Sequence, residues 1–303
     1  MSVFSDDFLI DNGPAQPFFV ALRKWIVRYA PFYAEAATPV AFQLIQHFMG
    51  LAPTQILANV SFVMHQEEKA AFKQALLRLT RAEPLAYILE EAVFLGLRLK
   101  VAPGVLIPRP ETEEMVQKII QRHSLSPPRT WVDVGTGSGA IALSLANHFR
   151  QASGWALDVS PQALGIAQEN ASRLSLAIHF RQYDLAEKPA REWPVFDLLI
   201  SNPPYVCESE KKDMQLNVLD YEPAQALFVP DEEPLYFYQL LALFAQTHLA
   251  KGGFLYWEIN ERFGDETKDL LLRYQFEAVE IHTDFRGKPR FVSARKPGDA
   301  PQS

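Results

Sequence analysis

Apolar residues recur at helical spacing through the first 90 residues. Phe18, Phe19, Leu22, Trp25, Ile26 and Tyr29 share one helix face, and Phe42, Leu44, Ile45, Phe48 and Met49 share another. A short helix over 54–59 follows Pro53. A longer one over 66–82 puts Ala71, Phe72, Ala75, Leu76 and Leu79 on one side, and together these predict a small helical bundle. Between 92 and 107 the period changes. The run AVFLGLRLKVAPGVLI alternates about Gly96 and then turns at Pro103-Gly104, which predicts a hairpin.

From 112 onward helical and extended patterns alternate. Residues 112–123 read as a helix with Glu113 and Glu114 in its first turn, where the helix dipole favours them. Strands are expected at 131–134, 155–158, 178–183, 196–201, 254–259, 276–283 and 289–295. Helices are expected at 139–149, 160–174, 234–249 and 264–274, the second opened by the cap-and-first-turn pair Ser160-Pro161. Lys251-Gly252-Gly253 reads as a turn, and Asp231-Glu232-Glu233 as the acidic flank of the helix at 234. Alternation of this kind predicts a mostly parallel sheet wrapped by helices. The chain then divides into a helical domain (1–90), a hairpin connector (91–111), an α/β domain (112–295) and a disordered tail (296–303).

Composition narrows the classes. The chain has 303 residues, 48% hydrophobic and 21% charged, enough for two domains of roughly 100–200 residues. Lys plus Arg total 29 against 36 acidic residues, a net charge of −7. Residues 1–100 hold nine basic and nine acidic side chains, so the whole excess lies beyond residue 100. An acidic second half disfavours a phosphate-gripping nucleic-acid protein. One cysteine, Cys207, rules out an internal disulfide or a cysteine metal cluster, and packing within its loop is the expected role. His47, His65, His123, His148, His179, His248 and His282 lack ligand spacing, so surface or core roles are expected. No basic flank and apolar run opens the chain, and no apolar stretch approaches the roughly 20 residues of a membrane span. A cytoplasmic protein without a membrane partner is expected.

Candidate chemistry lies at two strand ends. The first is Asp133-Val134-Gly135-Thr136-Gly137-Ser138-Gly139, a glycine loop at a strand-to-helix junction, with Asp158 at the end of the next expected strand. Glycines let a ligand approach free backbone N–H groups, and a carboxylate at that distance suits two ribose hydroxyls. With Ala140 the loop also satisfies the dinucleotide pattern, so a nicotinamide enzyme stays open at this point.

The second is Asn202-Pro203-Pro204-Tyr205, directly after the apolar run 196–201. Consecutive prolines lack N–H groups and present stiff carbonyl acceptors. Asn202 adds an amide oxygen and Tyr205 a flat ring. Two acceptors and an aromatic face make a receptor for a planar NH2 group, for which hydride transfer has no use.

These residues resemble the S-adenosylmethionine methyltransferases that act on planar nitrogen, and within them the release factor glutamine methyltransferases (the PrmC/HemK family). Arg81 to Ile88 (RAEPLAYI) is similar to the family's interdomain segment, with Ala82 where a glycine is usual. Leu106 to Glu113 (LIPRPETE) matches another family segment, in which Arg109 and Glu111 are candidates to border the site. Tyr221-Glu222-Pro223 with Ala226-Leu227 resembles the stretch after the acceptor loop. Asp184-Leu185 stands where many members carry Asp-Trp.

The resemblance implies a class I S-adenosylmethionine-dependent methyltransferase fold, Rossmann-like with a mostly parallel seven-stranded sheet, plus an N-terminal helical bundle. It implies S-adenosylmethionine as cofactor and S-adenosylhomocysteine as product. Asp133 is expected at the methionine ammonium. Gly135, Thr136, Gly137, Ser138 and Gly139 fall along methionine and ribose, Asp158 on the ribose hydroxyls, Asp184 and Leu185 at the adenine, and Asn202 at the reacting end. Asn202, Pro203, Pro204 and Tyr205 are the implied catalytic and substrate-binding residues. The implied substrates are class I peptide chain release factors, modified on the glutamine of a Gly-Gly-Gln loop and docked partly by the bundle. A monomer is expected. The competing reading is methylation of adenine N6 or cytosine N4 in nucleic acid, which presents the same planar NH2 but demands base flipping and phosphate contacts. Arg286, Lys288 and Arg290 form a short basic cluster that reads as a solvated turn.

Overall fold

The computed structural model describes residues 12–187, 193–284 and 286–298. The opening residues and 299–303 of the expected disordered tail lie outside the described residues. The chain forms two compact units, 1–91 with 215–221 and 92–214 with 222–303.

The smaller unit is helical: α1 (Ala15–Tyr29), α2 (Ala37–Met49), α3 (Pro53–Leu57), α4 (Gln66–Thr80) and α5 (Leu85–Leu89). The apolar faces expected from spacing are its core, with Leu22, Ile26, Leu44, Ile45, Phe72 and Leu76 buried together. Phe19 stacks on Phe42 with ring centres 4.4 Å apart. α5 is additional to the expected helices. Its five residues are too few to show a period, and it is held from outside. Arg78 grips Glu83 with two hydrogen bonds (2.9 and 2.6 Å) and donates to Tyr87 O (3.0 Å). The turn into it places Ala82 in the left-handed region (φ 58°). The short helix Leu216–Tyr221 also counts with this unit, Tyr221 donating from its hydroxyl to Arg81 O (3.1 Å).

The larger unit opens with a hairpin, Glu91–Phe94 and Leu97–Lys100, followed by α6 (Pro110–His123). The hairpin's turn is Leu95-Gly96, both left-handed (φ 46° and 77°), and Pro103-Gly104 forms a separate later turn. The hairpin, expected as the connector between the domains, is packed into this unit. Phe94 and Leu99 belong to the α/β core. Lys100 exchanges two backbone hydrogen bonds with the Asn170 side chain (2.7 and 2.9 Å).

After α6 come β1 (Thr130–Val134), α7 (Ala140–His148), β2 (Ser153–Asp158), α8 (Pro161–Arg173), β3 (His179–Gln182) and β4 (Phe196–Ser201). α9 (Tyr236–His248), β5 (Leu249–Glu258), α10 (Gly264–Arg273), β6 (Glu277–Thr283) and β7 (Pro289–Arg295) complete it. The sheet order is β6-β7-β5-β4-β1-β2-β3. Only β7 runs against its neighbours; β5, β4, β1, β2 and β3 pair in parallel. Side chains alternate between two cores: Val132, Val134, Leu199 and Trp257 on one face, Trp131, Leu198, Ile200 and Tyr256 on the other. Burial on both faces is why these strands read as unbroken apolar runs. This is the seven-stranded, mostly parallel sheet that the resemblance implies.

Two local expectations are corrected. Lys251-Gly252-Gly253 is not a turn before the strand but a bulge within β5, between Leu249 and Phe254. Gly252 is left-handed there (φ 76°), and the ladder continues through it to Lys296. The acidic run Asp231–Glu233 does not flank the helix directly, because α9 begins at Tyr236 with no acid in its first turn. Asp231 instead accepts from the Ser209 N–H (3.1 Å) and hydroxyl (2.7 Å), a closer partner than a helix end. No helix among the described residues is long and apolar enough to cross a membrane.

Candidate active site

Parallel strands deliver their carboxyl ends to one edge, and β1 and β4 end side by side there. Ser201 Oγ donates to Val134 O (2.7 Å), which ties the two strand tips together. The glycine loop thus leaves from β1, and the Asn202–Tyr205 segment leaves from β4, at neighbouring points. Between them opens a cleft of ≈ 390 Å³. Gly135, Thr136, Gly137, Ser138, Asp158, Asp184, Leu185, Asn202, Pro203 and Pro204 line it. The sequence separates these residues by up to 69 positions, and the sheet brings them to one wall. Asp133, Gly139 and Tyr205 are not among the described residues that line it.

The glycine loop is built from backbone. Gly135, Gly137 and Gly139 all have positive φ (75°, 55° and 86°), a conformation that other residues rarely adopt. Gly135 N–H (2.8 Å) and Thr136 N–H (2.9 Å) both donate to Leu157 O, pinning the loop to β2. A Cβ at Gly137 would meet nothing within 4 Å, so this position faces open space.

Asp133 lies under the loop, fully buried. Its Oδ2 accepts from Thr136 Oγ1 (2.7 Å) and Ala142 N–H (3.2 Å), bracing the loop against α7. Its Oδ1 has no hydrogen-bond partner among the described residues. Burial, only partly offset by those two donors, pushes its carboxyl up to about 7. Asp158 sits at the tip of β2 and lines the cleft. Its two oxygens accept from Gly137 N–H (2.8 Å) and Ser160 N–H (2.9 Å). Burial raises its pKa against the lowering effect of these bonds.

The acceptor loop is held from behind by residues far away in sequence. Asn202 Nδ2 donates to Thr112 Oγ1 (3.1 Å), and Thr112 Oγ1 donates to Glu258 Oε2 (2.5 Å). Tyr205 OH donates to Glu258 Oε1 (2.8 Å), and its backbone carbonyl accepts from Asn260 Nδ2 (3.0 Å). Burial, then the neighbouring Glu258, holds the Tyr205 phenol well above its usual range. Arg109 lines the cleft and Glu111 does not. Arg109 pairs with the buried Glu222 (2.6 Å), which also accepts from Ile107 N–H (3.1 Å).

Thr112, Glu258 and Glu222 were not singled out as site residues. For two of them the neighbourhood carries a signal, Thr112 inside the LIPRPETE run and Glu222 inside Tyr221-Glu222-Pro223, whereas the segment from Glu258 to Gly264 departs from the family's glycine pattern and carries none. The basic cluster is neutralised locally. Arg290 pairs with Asp284 (2.9 Å) and Lys288 with Glu261 (2.9 Å). Cys207 is buried beneath its loop.

Comparison with known proteins gives a consistent picture. Residues 21–89 match the model of the PrmC N-terminal domain, and residues 112–227 match that of the methyltransferase small domain. A release factor glutamine methyltransferase from Bacteroides thetaiotaomicron is 38% identical over 248 residues, covering 82% of this chain and 88% of that protein. Another, from Enterococcus faecalis, is 36% identical over 273 residues, covering 89% of this chain and 97% of that one. Among solved structures, a methyltransferase from Pyrococcus furiosus superposes with a TM-score of 0.49 at 17% sequence identity, over 77% of this chain and 100% of its own.

Proposed function

The chain belongs to the release factor glutamine methyltransferase family, and from that membership we propose how its residues perform the reaction. It is a methyltransferase that transfers a methyl group from S-adenosylmethionine to a side-chain amide nitrogen of glutamine in peptide chain release factors. The finer assignment is to class I release factors and the glutamine of their Gly-Gly-Gln loop. The helical unit contributes none of the described residues that line the cleft and is assigned to docking that protein partner.

The residues at the cleft fit the cofactor. Gly137 offers open space at a backbone position no larger residue adopts easily, and Asp158 keeps lone pairs beyond its two backbone donors for ribose hydroxyls. Leu185 supplies an apolar surface and Asp184 a polar one for the adenine. The Oδ1 of Asp133 is left without a partner under the loop, and an ammonium held above it would favour the charged form that burial disfavours. Bound there, S-adenosylmethionine supplies an electrophilic methyl on a sulfonium leaving group.

What remains for the protein is to position the nucleophile. An amide nitrogen is a poor one, because its lone pair is delocalised into a carbonyl bond whose rotation barrier is about 18–20 kcal/mol. Asn202 Oδ1 and the Pro203 carbonyl accept the two amide hydrogens, aim the nitrogen, and stabilise the positive charge that develops on it. Pro204 keeps the loop stiff. Tyr205, its hydroxyl fixed to Glu258, flanks the amide plane. No general base is required, since an N-methylated amide cation loses its proton readily to water.

The observation that carries this reading is the opening of Asn202 and Pro203 into the same cleft as Asp158 and Gly137. Nucleic-acid methylation is the weaker reading, because the excess acidic charge lies beyond residue 100. The test is mass spectrometry of release factor and of DNA after incubation with the full chain and cofactor. An increment of about 14 Da, one methylene, is expected on the release-factor glutamine and none on DNA. The increment on DNA alone would overturn the assignment.

A further inference from the structure

The asparagine of the acceptor loop carries an oxygen and an NH2 on one short amide, and only the oxygen serves the reaction proposed above. Which of the two faces the substrate is decided behind the loop. Asn202 Nδ2 meets Thr112 Oγ1 at 3.1 Å, and Thr112 Oγ1 meets Glu258 Oε2 at 2.5 Å. Thr112 and Glu258 are 4% and 3% exposed, so both are shielded from water on the side away from the cleft. They come from the first turn of α6 and the last residue of β5.

A threonine hydroxyl has one hydrogen, and an ionised carboxylate can only accept. The Thr112 hydrogen is therefore committed to Glu258, and the Thr112 oxygen can only receive from Asn202. The Asn202 amide must turn Nδ2 inward and Oδ1 outward. We propose that Thr112 and Glu258 are positioning residues that set the polarity of the Asn202 amide, so that its oxygen meets the substrate NH2. The other carboxylate oxygen of Glu258 takes the Tyr205 hydroxyl (2.8 Å), so one buried group orients both polar ends of the loop. With the amide reversed, Nδ2 hydrogens would face the substrate's own amide hydrogens, and the bond would be lost.

This inference rests on the methyl-transfer reading, and two readouts keep the two apart. The first is kinetic, with the full chain and release factor. Thr112→Val nearly preserves volume but removes both roles of the hydroxyl. Its kcat is expected to fall roughly 10- to 100-fold while KM and cofactor Kd stay within about twofold, the pattern of an interaction made in the transition state. Thr112→Ser keeps the hydroxyl and should recover kcat to within about threefold of wild type. Glu258→Gln offers hydrogens to Thr112, which frees the threonine proton for Asn202 Oδ1. Both amide orientations then coexist, and kcat falls with packing retained. Wild-type kcat in Thr112→Val, or equal losses in the Val and Ser variants, would overturn the proposal.

The second readout is hydrogen exchange of the Asn202 side-chain amide by NMR, which needs no turnover. Exchange should be slow in wild type and Thr112→Ser and fast in Thr112→Val. Fast exchange in wild type also overturns the proposal. Slow exchange in a wild-type chain that leaves release factor unmethylated would instead count against the reaction, with the amide polarity supported.

Discussion

The loop after β1 contains three glycines with positive φ and no charged side chain of its own, whereas the loop after β4 sets two prolines between an amide and a phenol. Both leave the sheet at strand tips joined by the Ser201–Val134 hydrogen bond. The first is shaped mostly nearby: its hydrogen bonds run to Leu157, Asp133 and Asp158, on its own strand or the adjacent one, and to Asn170 of α8, which donates to Ser138 O (3.0 Å). The second is shaped at long range, through Thr112 and Glu258, 90 residues before Asn202 and 53 after Tyr205. A binding loop needs room and backbone donors, which glycine provides by itself. A loop that must present a particular atom needs the rest of the fold behind it.

The strongest way to break this contrast is at Asn202. Asn202→Ala removes one of the two acceptors that stabilise charge developing on the substrate nitrogen. Loss of one such preorganised group typically costs about 10²–10³ in kcat. Cofactor affinity, measured by calorimetry, should change little, because the glycine loop and Asp158 are untouched. Retained turnover in this variant would remove Asn202 from the reaction.

The mirror experiment falls on the glycine loop. Gly137→Ala puts a Cβ at φ 55°, a strain of about 1–2 kcal/mol, and fills part of the open space facing the cleft. The strain should appear as lower stability in denaturation, and the Cβ in the cleft as a cofactor Kd raised about tenfold, with kcat at saturating cofactor nearly unchanged. If kcat falls and Kd does not, the division of labour between the loops is wrong.

What could be read from sequence follows the same contrast. The glycine loop, Asp158 and Asn202 to Tyr205 are contiguous or spaced by one β-α step, so periodicity and motif place them together. Thr112 and Glu258 acquire a role only when α6 and β5 meet behind the loop, 146 residues apart, and neither residue type is diagnostic alone. Asp133 shows a subtler limit. Sequence places it beside the cleft, but the alternation along β1 turns its side chain under the loop. The bulge in β5 was hidden for a related reason. Gly252-Gly253 has the composition of a turn, and only the pairing of β5 with its neighbours shows that the strand continues.

Acid provides a smaller test of the long-range side. Burial raises the Glu258 pKa, against the lowering effect of hydrogen bonds from Thr112 and Tyr205. Of the charged and titratable groups around it, Glu111 raises it further and Arg290 lowers it, and the Tyr238 phenol shares its field. Protonated Glu258 can donate to Thr112, which frees the threonine proton and the Asn202 amide. The kcat of wild type should therefore fall several-fold as pH drops, with an inflection above the ordinary glutamate value of about 4.3. Glu258→Gln should lack that limb in its residual activity. An unchanged acid limb in the variant would assign the titration to another group.

The smallest effect calibrates the glycine argument away from the cleft. Ala82 follows α4 and is held left-handed (φ 58°), with its N–H bonded to Leu79 O (3.1 Å). This is the position after a helix end that glycine usually fills, and the related segment in the family usually has glycine there. Alanine therefore carries strain in the helical unit that Gly137→Ala would introduce in the loop, but with no ligand nearby to confuse the measurement. Ala82→Gly relieves that strain and gives back part of it as added freedom in the unfolded chain, so a net stabilisation of about 0.5–1 kcal/mol is expected. Chemical denaturation should show the gain as a higher midpoint at unchanged slope. Cofactor Kd and kcat on a short glutamine peptide should not move. Gly137→Ala should lose a comparable strain energy in the same denaturation experiment, while its cofactor Kd reports crowding alone, and an unchanged Kd would mean that Gly137 is needed for the turn alone.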